Sequence, residues 1–487
     1  MSTYHSKKAE RFLQNPTKIS RHDETFWKLR KGRDQMAANL PEWEALRHRA
    51  SKIKEHTLSH LAHYLDEFST HLEQNGVIVH WAKDATEFNE MVYGILETHK
   101  VEKLVKSKSM LTEECHMNAY LEKRGIDVVE TDLGERILQL MHLKPAHIVV
   151  PAVHLTRDEV GETFEKEHIS KEIGNHDPTY LTYCARLSLR NEFLEAGAGL
   201  TGCNFGVAST GDCVVCTNEG NADMSTAIPR LHIVAMGLEK VVPDLESLSV
   251  FQRLLCRNGT GQPTTSYTSH YRRPRPGGEM HVIIVDNGRS EILANKQHWS
   301  VLKCIRCGAC MNTCPVYRRS TGYSYSYFIP GPIGINLGML NDPYKHSGNV
   351  SACSLCLSCD HVCPVMVNPG SQIYLWRQQL AQFGTQNKEK QAMAMAMAGV
   401  LNHYHIYDSA TREASWVNLL PQSMFQFKAN PWSIGHDMPK FAYKPFHALY
   451  KRAMSELSHK KNDAKQAKNA DENEEECLLN QSKQRKQ

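Results

Sequence analysis

The sequence predicts an α/β protein: a domain built on a mostly parallel sheet, then a small helical domain that holds metal clusters. Three observations carry this prediction. Apolar strand-like runs alternate with helical segments between residues 77 and 150, and strand-like runs return up to residue 285. Two cysteine runs of identical spacing lie together within 304–363. The 38 residues between those runs are too many for a small ferredoxin hairpin, so helices are expected to flank the clusters.

Residues 1–40 are polar and charged, with an island at Phe26-Trp27-Lys28-Leu29-Arg30, and read as an arm ending near Pro41. From Glu42, Leu46, Ala50, Ile53, Leu58, Leu61, Leu65, Phe68 and Leu72 recur at helical spacing, and Asn75-Gly76 is a stop. Val77–Trp81 reads as a strand, 84–100 as a helix and Lys103–Val105 as a short strand. A helix from Thr112, with Glu113 and Glu114 complementing its dipole, stops at Gly125. Ile126–Val129 and His147–Val150 read as buried strands around a helix from about Glu135. Another helix covers 180–197. Glycines and small polar residues at 202–221 suggest backbone folded tightly about a ligand. The sheet continues with His232–Met236 and His281–Val285, and 257–278 reads as a long loop. Residues 372–398 are helical, and the tail from about 457 has little to bury.

The expected organisation is therefore an arm (1–40), an α/β domain (41–298), a helical ferredoxin domain (299–385), a helical or irregular region (386–456) and a disordered tail (457–487).

Hydrophobic residues at 41% and charged residues at 23% are ordinary for a globular protein. A formal charge of +4 implies no strong attraction to nucleic acid or membranes. The first residues are polar, and no apolar run approaches the roughly 18 residues that span a bilayer. The expectation is a cytoplasmic protein, able to reach a membrane only through partners. Fifteen cysteines without an export signal argue for metal or redox chemistry and against a disulfide scaffold.

The first cysteine run is Cys304-Ile-Arg-Cys307-Gly-Ala-Cys310-Met-Asn-Thr-Cys314-Pro315. The second is Cys353-Ser-Leu-Cys356-Leu-Ser-Cys359-Asp-His-Val-Cys363-Pro364. Three cysteines at i, i+3 and i+6 can wrap one cubane, and the fourth, followed by Pro, leads away to the other cluster. The expectation is two [4Fe–4S] clusters with exchanged fourth ligands. Cluster one takes Cys304, Cys307, Cys310 and Cys363; cluster two takes Cys353, Cys356, Cys359 and Cys314. Zinc is the competing assignment, but zinc sites show paired Cys-x-x-Cys spacing. Cys213 and Cys216 form a further Cys-x-x-Cys, yet alternation along a strand puts them on opposite faces.

Beyond these runs, the chain resembles the large iron–sulfur subunit, the B-type protein, of bacterial L-lactate utilization. The resemblance runs from about 26 to 450. It rests on Phe26-Trp-Lys-Leu-Arg-Lys-Gly-Arg33, Val79-His-Trp-Ala82, Lys106-Ser-Lys-Ser-Met110 and Glu130-Thr-Asp-Leu-Gly-Glu135. His147–His154, Thr217–Asp223, Asp286–Arg289 and Gly331–Gly334 add to it. The resemblance implies a lactate-utilization (LUD) domain with a sugar-isomerase/CoA-transferase-like fold, followed by a helical dicluster ferredoxin. It also implies two partners, a cysteine-rich iron–sulfur subunit and a small LUD subunit. Three places depart from the pattern: Gly322-Tyr323-Ser324-Tyr325, Leu357-Ser358, and Ser209-Thr210-Gly211. The first two should tune the cluster surroundings without changing ligation.

Three further residues are candidates for substrate chemistry. Lys106 and Lys108 follow a strand and precede a helix, where an anion could be held. Glu219, in a Gly-containing turn, could act as a general base or a clamp. His147 and His154 read as packed core residues. No signature for NAD, flavin or ATP is present.

Three functions follow as expectations. The first is electron transfer in an L-lactate-oxidising complex, with an acceptor still to be named. The second is catalysis by the LUD domain on lactate or another small carboxylate. The third is a redox-sensing interaction scaffold.

Overall fold

Long runs of Val, Ile and Leu form strands only where both faces are covered, and the computed structural model places them so. It describes residues 4–382, 388–425 and 439–462. The strands are β1 (Ile78–Ala82), β2 (Lys103–Lys106), β3 (Asp127–Glu130), β4 (Ala198–Gly202), β5 (Phe205–Val207), β6 (Asp212–Thr217), β7 (Leu231–Gly237), β8 (Val241–Val242), β9 (Tyr267–Tyr271) and β10 (Glu279–Val285).

Six of them make a parallel sheet in the order β1-β10-β7-β4-β2-β3. Every residue of the central strand β7 is buried, the signature of a sheet covered on both faces. Four others form a small sheet, β8-β5-β6-β9, beside it. Aspartates set the helix starts. Asp84 accepts from the Thr86 and Glu87 amides at the head of Ala85–Thr98, and Asp132 from Glu135 at the head of Leu133–Leu140.

The helical ferredoxin region follows directly and shares one apolar cluster with the α/β part, in which Ile148, Phe205 and Phe251 meet Met311, Tyr317 and Ile333. Residues 386–487 form a separate compact unit. Its described part includes Lys388–Leu401, Tyr404–Glu413 and a helix over 446–462.

Several expectations change. Residues 1–40 were expected as a polar arm but form helices Tyr4–Leu13 and Pro16–Ala38. The island explains why: Phe26 is fully buried, with its ring 5.2 Å from those of His147 and Tyr317. Burying one such ring contributes about 2–3 kcal/mol. The helix expected from Glu42 is two helices, Trp43–Ser59 and Leu61–Gln74, broken at His60. The one expected from Thr112 is likewise two, Met110–Glu114 and Met117–Glu122, divided at His116 with φ of 53°.

His147–Val150 is not a strand. Its imidazole Nδ1 accepts from the amides of Val149 and Val150, which curls the segment, and Nε2 lies 3.0 Å from Asn312 Oδ1 in the ferredoxin region. Apolar residues that looked like strand are buried against a second domain instead. The expected loop 257–278 contains β9, which pairs with β6. Of the tail, 457–462 is helical and 463–487 lies outside the described residues. Among the described residues, no helix is long and apolar enough to cross a membrane.

Candidate metal centre and adjoining cavity

The two cysteine runs fold into the same shape. Arg306 and Leu355 occupy equivalent left-handed positions, with φ of 59° and 54°. Gly308 and Leu357 do so two residues on, with φ of 80° and 57°. Each left-handed residue turns a backbone amide toward the first sulfur: Arg306 N donates to Cys304 Sγ at 3.4 Å, and Leu355 N to Cys353 Sγ at 3.3 Å. Short helices follow, Ala309–Thr313 and Ser358–Val362. The fourth cysteine of each run caps off in extended backbone, and its sulfur accepts an amide, Tyr317 N on Cys314 at 3.5 Å and Val367 N on Cys363 at 3.3 Å.

The fourth cysteine of each run neighbours thiols of the other run. Cys363 lies close enough to raise the thiols of Cys307 and Cys310, behind the larger effect of burial. Burial pushes Cys314 up to about 12, and its thiol neighbours are Cys353 and Cys356. These neighbours accord with the expected first group, Cys304, Cys307, Cys310 and Cys363, and second group, Cys353, Cys356, Cys359 and Cys314. Cys359 also feels Cys310, so the groups are adjacent.

The donor sets suit a cubane. Among the described residues, no three cysteine sulfurs lie within 4.8 Å of one another. Four sulfurs on one zinc would sit about 3.8 Å apart. Around a [4Fe–4S] core they stand roughly 6 Å apart. Buried and half-buried cations also face the first group. Lys54 and Lys240 both feel the Cys304 thiol, Arg33 feels Cys307, and Arg47 feels Cys363. Arg47 donates through Nε and Nη2 to the Cys363 carbonyl at 3.1 and 2.9 Å. Burial takes Lys54 down to about 8, against the Glu239 charge, which favours its ammonium most, and the smaller effect of Cys304. A thiolate-bound core of net negative charge would add to that stabilisation.

Leu357 is where the second run carries a side chain in a backbone region suited to Gly. It is 46% exposed, so little packing repays the conformation. The left-handed region costs a non-glycine residue about 1–2 kcal/mol. Leu357→Gly should therefore stabilise the chain by about 1 kcal/mol after glycine's own entropy cost. The expected readout is a higher denaturant midpoint for cluster release; a lower midpoint would contradict it.

A cavity of about 360 Å³ lies at the carboxyl ends of β2, β3, β4, β7 and β10, where open parallel sheets bind ligands. Its wall includes Lys108, Glu219, Lys240, Arg306 and Cys307. Cys307 belongs to the first thiol group, so the cavity opens directly onto that group. Glu219 Oε2 accepts from Leu133 N at 3.3 Å. Burial, then the neighbouring Asp132, raises its pKa. Lys108 Nζ donates to the Val149 carbonyl at 2.7 Å.

Lys106, expected beside Lys108, is not in this wall. Its ammonium is buried, 2.7 Å from Glu130 Oε1 and 3.4 Å from Glu113 Oε1. Burial opposes its charge, but those carboxylates hold its pKa above the ordinary value. β2 ends at Lys106, and Lys108 lies beyond it in the turn before Met110–Glu114; sequence alone gave no sign of the acidic partners. The cationic group facing the first thiols was also missed, because its members come from three distant segments. Cys213 and Cys216 face opposite sides of β6: Cys213 joins the cluster of Phe68 and Met236, and Cys216 faces the cavity.

Glu135 shares the Lys106 network. Burial and the Glu130 charge raise it from 4.5 to about 8. The folded state thus keeps a proton that the unfolded chain releases. The stability this group contributes is full below about pH 4.5 and is lost as pH rises through about 8. Wild type should lose stability relative to Glu135→Gln between about pH 4.5 and 8 and level off above that. Parallel denaturation curves at every pH would contradict this.

Residues 65–292 match the LUD domain family, and 300–367 match the 4Fe-4S dicluster domain family. Lactate utilization protein B of Shouchella clausii is 41% identical over 403 residues, covering 81% of this chain and 83% of that protein. The chain belongs to the lactate utilization protein B family. The B-family protein of an Exiguobacterium species is 43% identical, covering 70% of this chain and 73% of its own. An Escherichia coli relative described as an uncharacterized electron transport protein, YkgF, is 38% identical over 86% of this chain and 90% of its own length. Membership makes this an iron–sulfur protein of the lactate-utilization type, with an α/β LUD domain ahead of a helical dicluster region.

Proposed function

We propose that the chain is the iron–sulfur electron-transfer subunit of a complex that oxidises L-lactate to pyruvate. One observation carries the reading most: the LUD cavity is walled by Cys307 of the first thiol group. Cys304, Cys307, Cys310 and Cys363 would hold one [4Fe–4S] cluster, and Cys353, Cys356, Cys359 and Cys314 the other. When bound, the clusters supply two one-electron acceptors, matching the two electrons that lactate releases with two protons.

The chain's own residues arrange the rest. The first thiol group is enclosed on the cavity side, while Cys356 is the exposed member of the second. This arrangement suits a donor at the cavity and a partner at the surface. The proposed partners are a cysteine-rich iron–sulfur subunit and a small LUD subunit. In a bacterial strain whose growth on L-lactate requires its own B-family protein, this chain should restore growth and Cys307→Ala should not. Equal growth with both would reject the relay role.

A second reading is favoured by the same cavity: the LUD domain binds lactate itself. The Lys108 ammonium and the half-buried Lys240 would hold the carboxylate, and Glu219, with its raised proton affinity, would accept the hydroxyl proton.

A further inference from the structure

At the opposite end of the parallel sheet, where β10 begins, three metal-ligating groups converge outside everything described above. His281 Nε2 lies 2.7 Å from Glu279 Oε1. His99 Nε2, just past the end of Ala85–Thr98, lies 3.0 Å from the same oxygen. All three atoms lie within 4.8 Å of one another. Glu279 and His281 are two residues apart on β10 and so project from one face. The other nitrogen of His281, Nδ1, is 2.9 Å from Nε2 of His80, whose ring stacks on it at 5.2 Å.

We propose that His99, Glu279 and His281 form a binding site for one divalent zinc-class ion. Two imidazoles and a carboxylate are the ligand set that zinc takes at three-ligand sites, with water in the fourth position. Both histidines present the same nitrogen to the same point. His80 fixes the ring of His281 from behind, as outer hydrogen-bond partners do for metal-bound histidines. His281 is buried, while His99 and Glu279 are partly exposed, with side-chain exposures of 32% and 43%. An ion therefore has a path in and room for water. It would tie the end of Ala85–Thr98 to the start of β10, two segments some 180 residues apart.

The test uses the full chain, purified without oxygen and with its clusters intact. After chelator washing it is dialysed against buffered free zinc, and zinc and iron are both counted. One zinc per chain is expected with iron unchanged. Zinc-edge X-ray absorption should show nitrogen and oxygen neighbours near 2.0–2.1 Å and no sulfur near 2.3 Å. His80→Ala should weaken the affinity about 10–100-fold. His99→Ala, on the surface, should abolish binding while the clusters and fold persist. Zinc bound to sulfur, no zinc at micromolar free metal, or unchanged binding by His99→Ala would each overturn the proposal.

Discussion

Cys314→Ala should lower the iron content from about eight to about four atoms per chain. The cluster lost should be the one carried mainly by Cys353, Cys356 and Cys359, although Cys314 belongs to the first run. Removing one thiolate leaves one iron without a protein ligand and destabilises the remaining core, so the whole cluster is expected to go. Double variants separate exchanged from unexchanged ligation. With exchange, Cys307→Ala with Cys314→Ala strikes both clusters and leaves almost no iron. Cys307→Ala with Cys363→Ala strikes one and leaves about four. Ligation within each run reverses those two results. Anaerobic iron and sulfide analysis decides between them, with folding checked by circular dichroism.

Glu219→Gln should slow lactate-dependent electron delivery about 10²–10⁴-fold, the usual contribution of a positioned general base. Its substrate affinity should change little, because the neutral amide keeps the shape of the carboxyl group. Lys108→Met should do the reverse and weaken lactate binding. A hydrogen bond to a charged group contributes about 1.5–3 kcal/mol, or roughly 10–100-fold in affinity. Lys106→Met should do neither of these. It strips Glu130 and Glu113 of their cation and should cost about 3–5 kcal/mol of stability, the penalty for breaking a buried pair. A Glu219→Gln protein with unchanged turnover and affinity would remove the LUD cavity as the site of chemistry.

Local signals made much of the fold legible. The strands β1, β2, β3, β7 and β10 and the eight-cysteine frame follow from periodicity and spacing, which act over a few residues. What was not legible depends on long-range packing. Phe26 looked like an island in an arm because its partners, His147 and Tyr317, lie far along the chain. His147–Val150 carried a strand's composition, yet its apolar side chains cover a neighbouring domain and its amides bond to its own imidazole. Lys106 and Lys108 looked equivalent in sequence; burial and three acidic neighbours separate them. The cavity could be expected at the strand ends, but that it meets Cys307 is a fact of domain placement. Leu357 was seen as a departure, and its left-handed backbone gives that departure a physical meaning.

The most direct measurement is electron paramagnetic resonance on the anaerobic chain, oxidised and then given L-lactate, alone and with its two proposed partners. Electron transfer in lactate oxidation predicts reduced-cluster signals in the assembled complex, at about two electrons per lactate. Their appearance in the isolated chain as well would place the chemistry in its own LUD cavity. A complete complex whose clusters dithionite reduces and L-lactate leaves oxidised would contradict the proposed role.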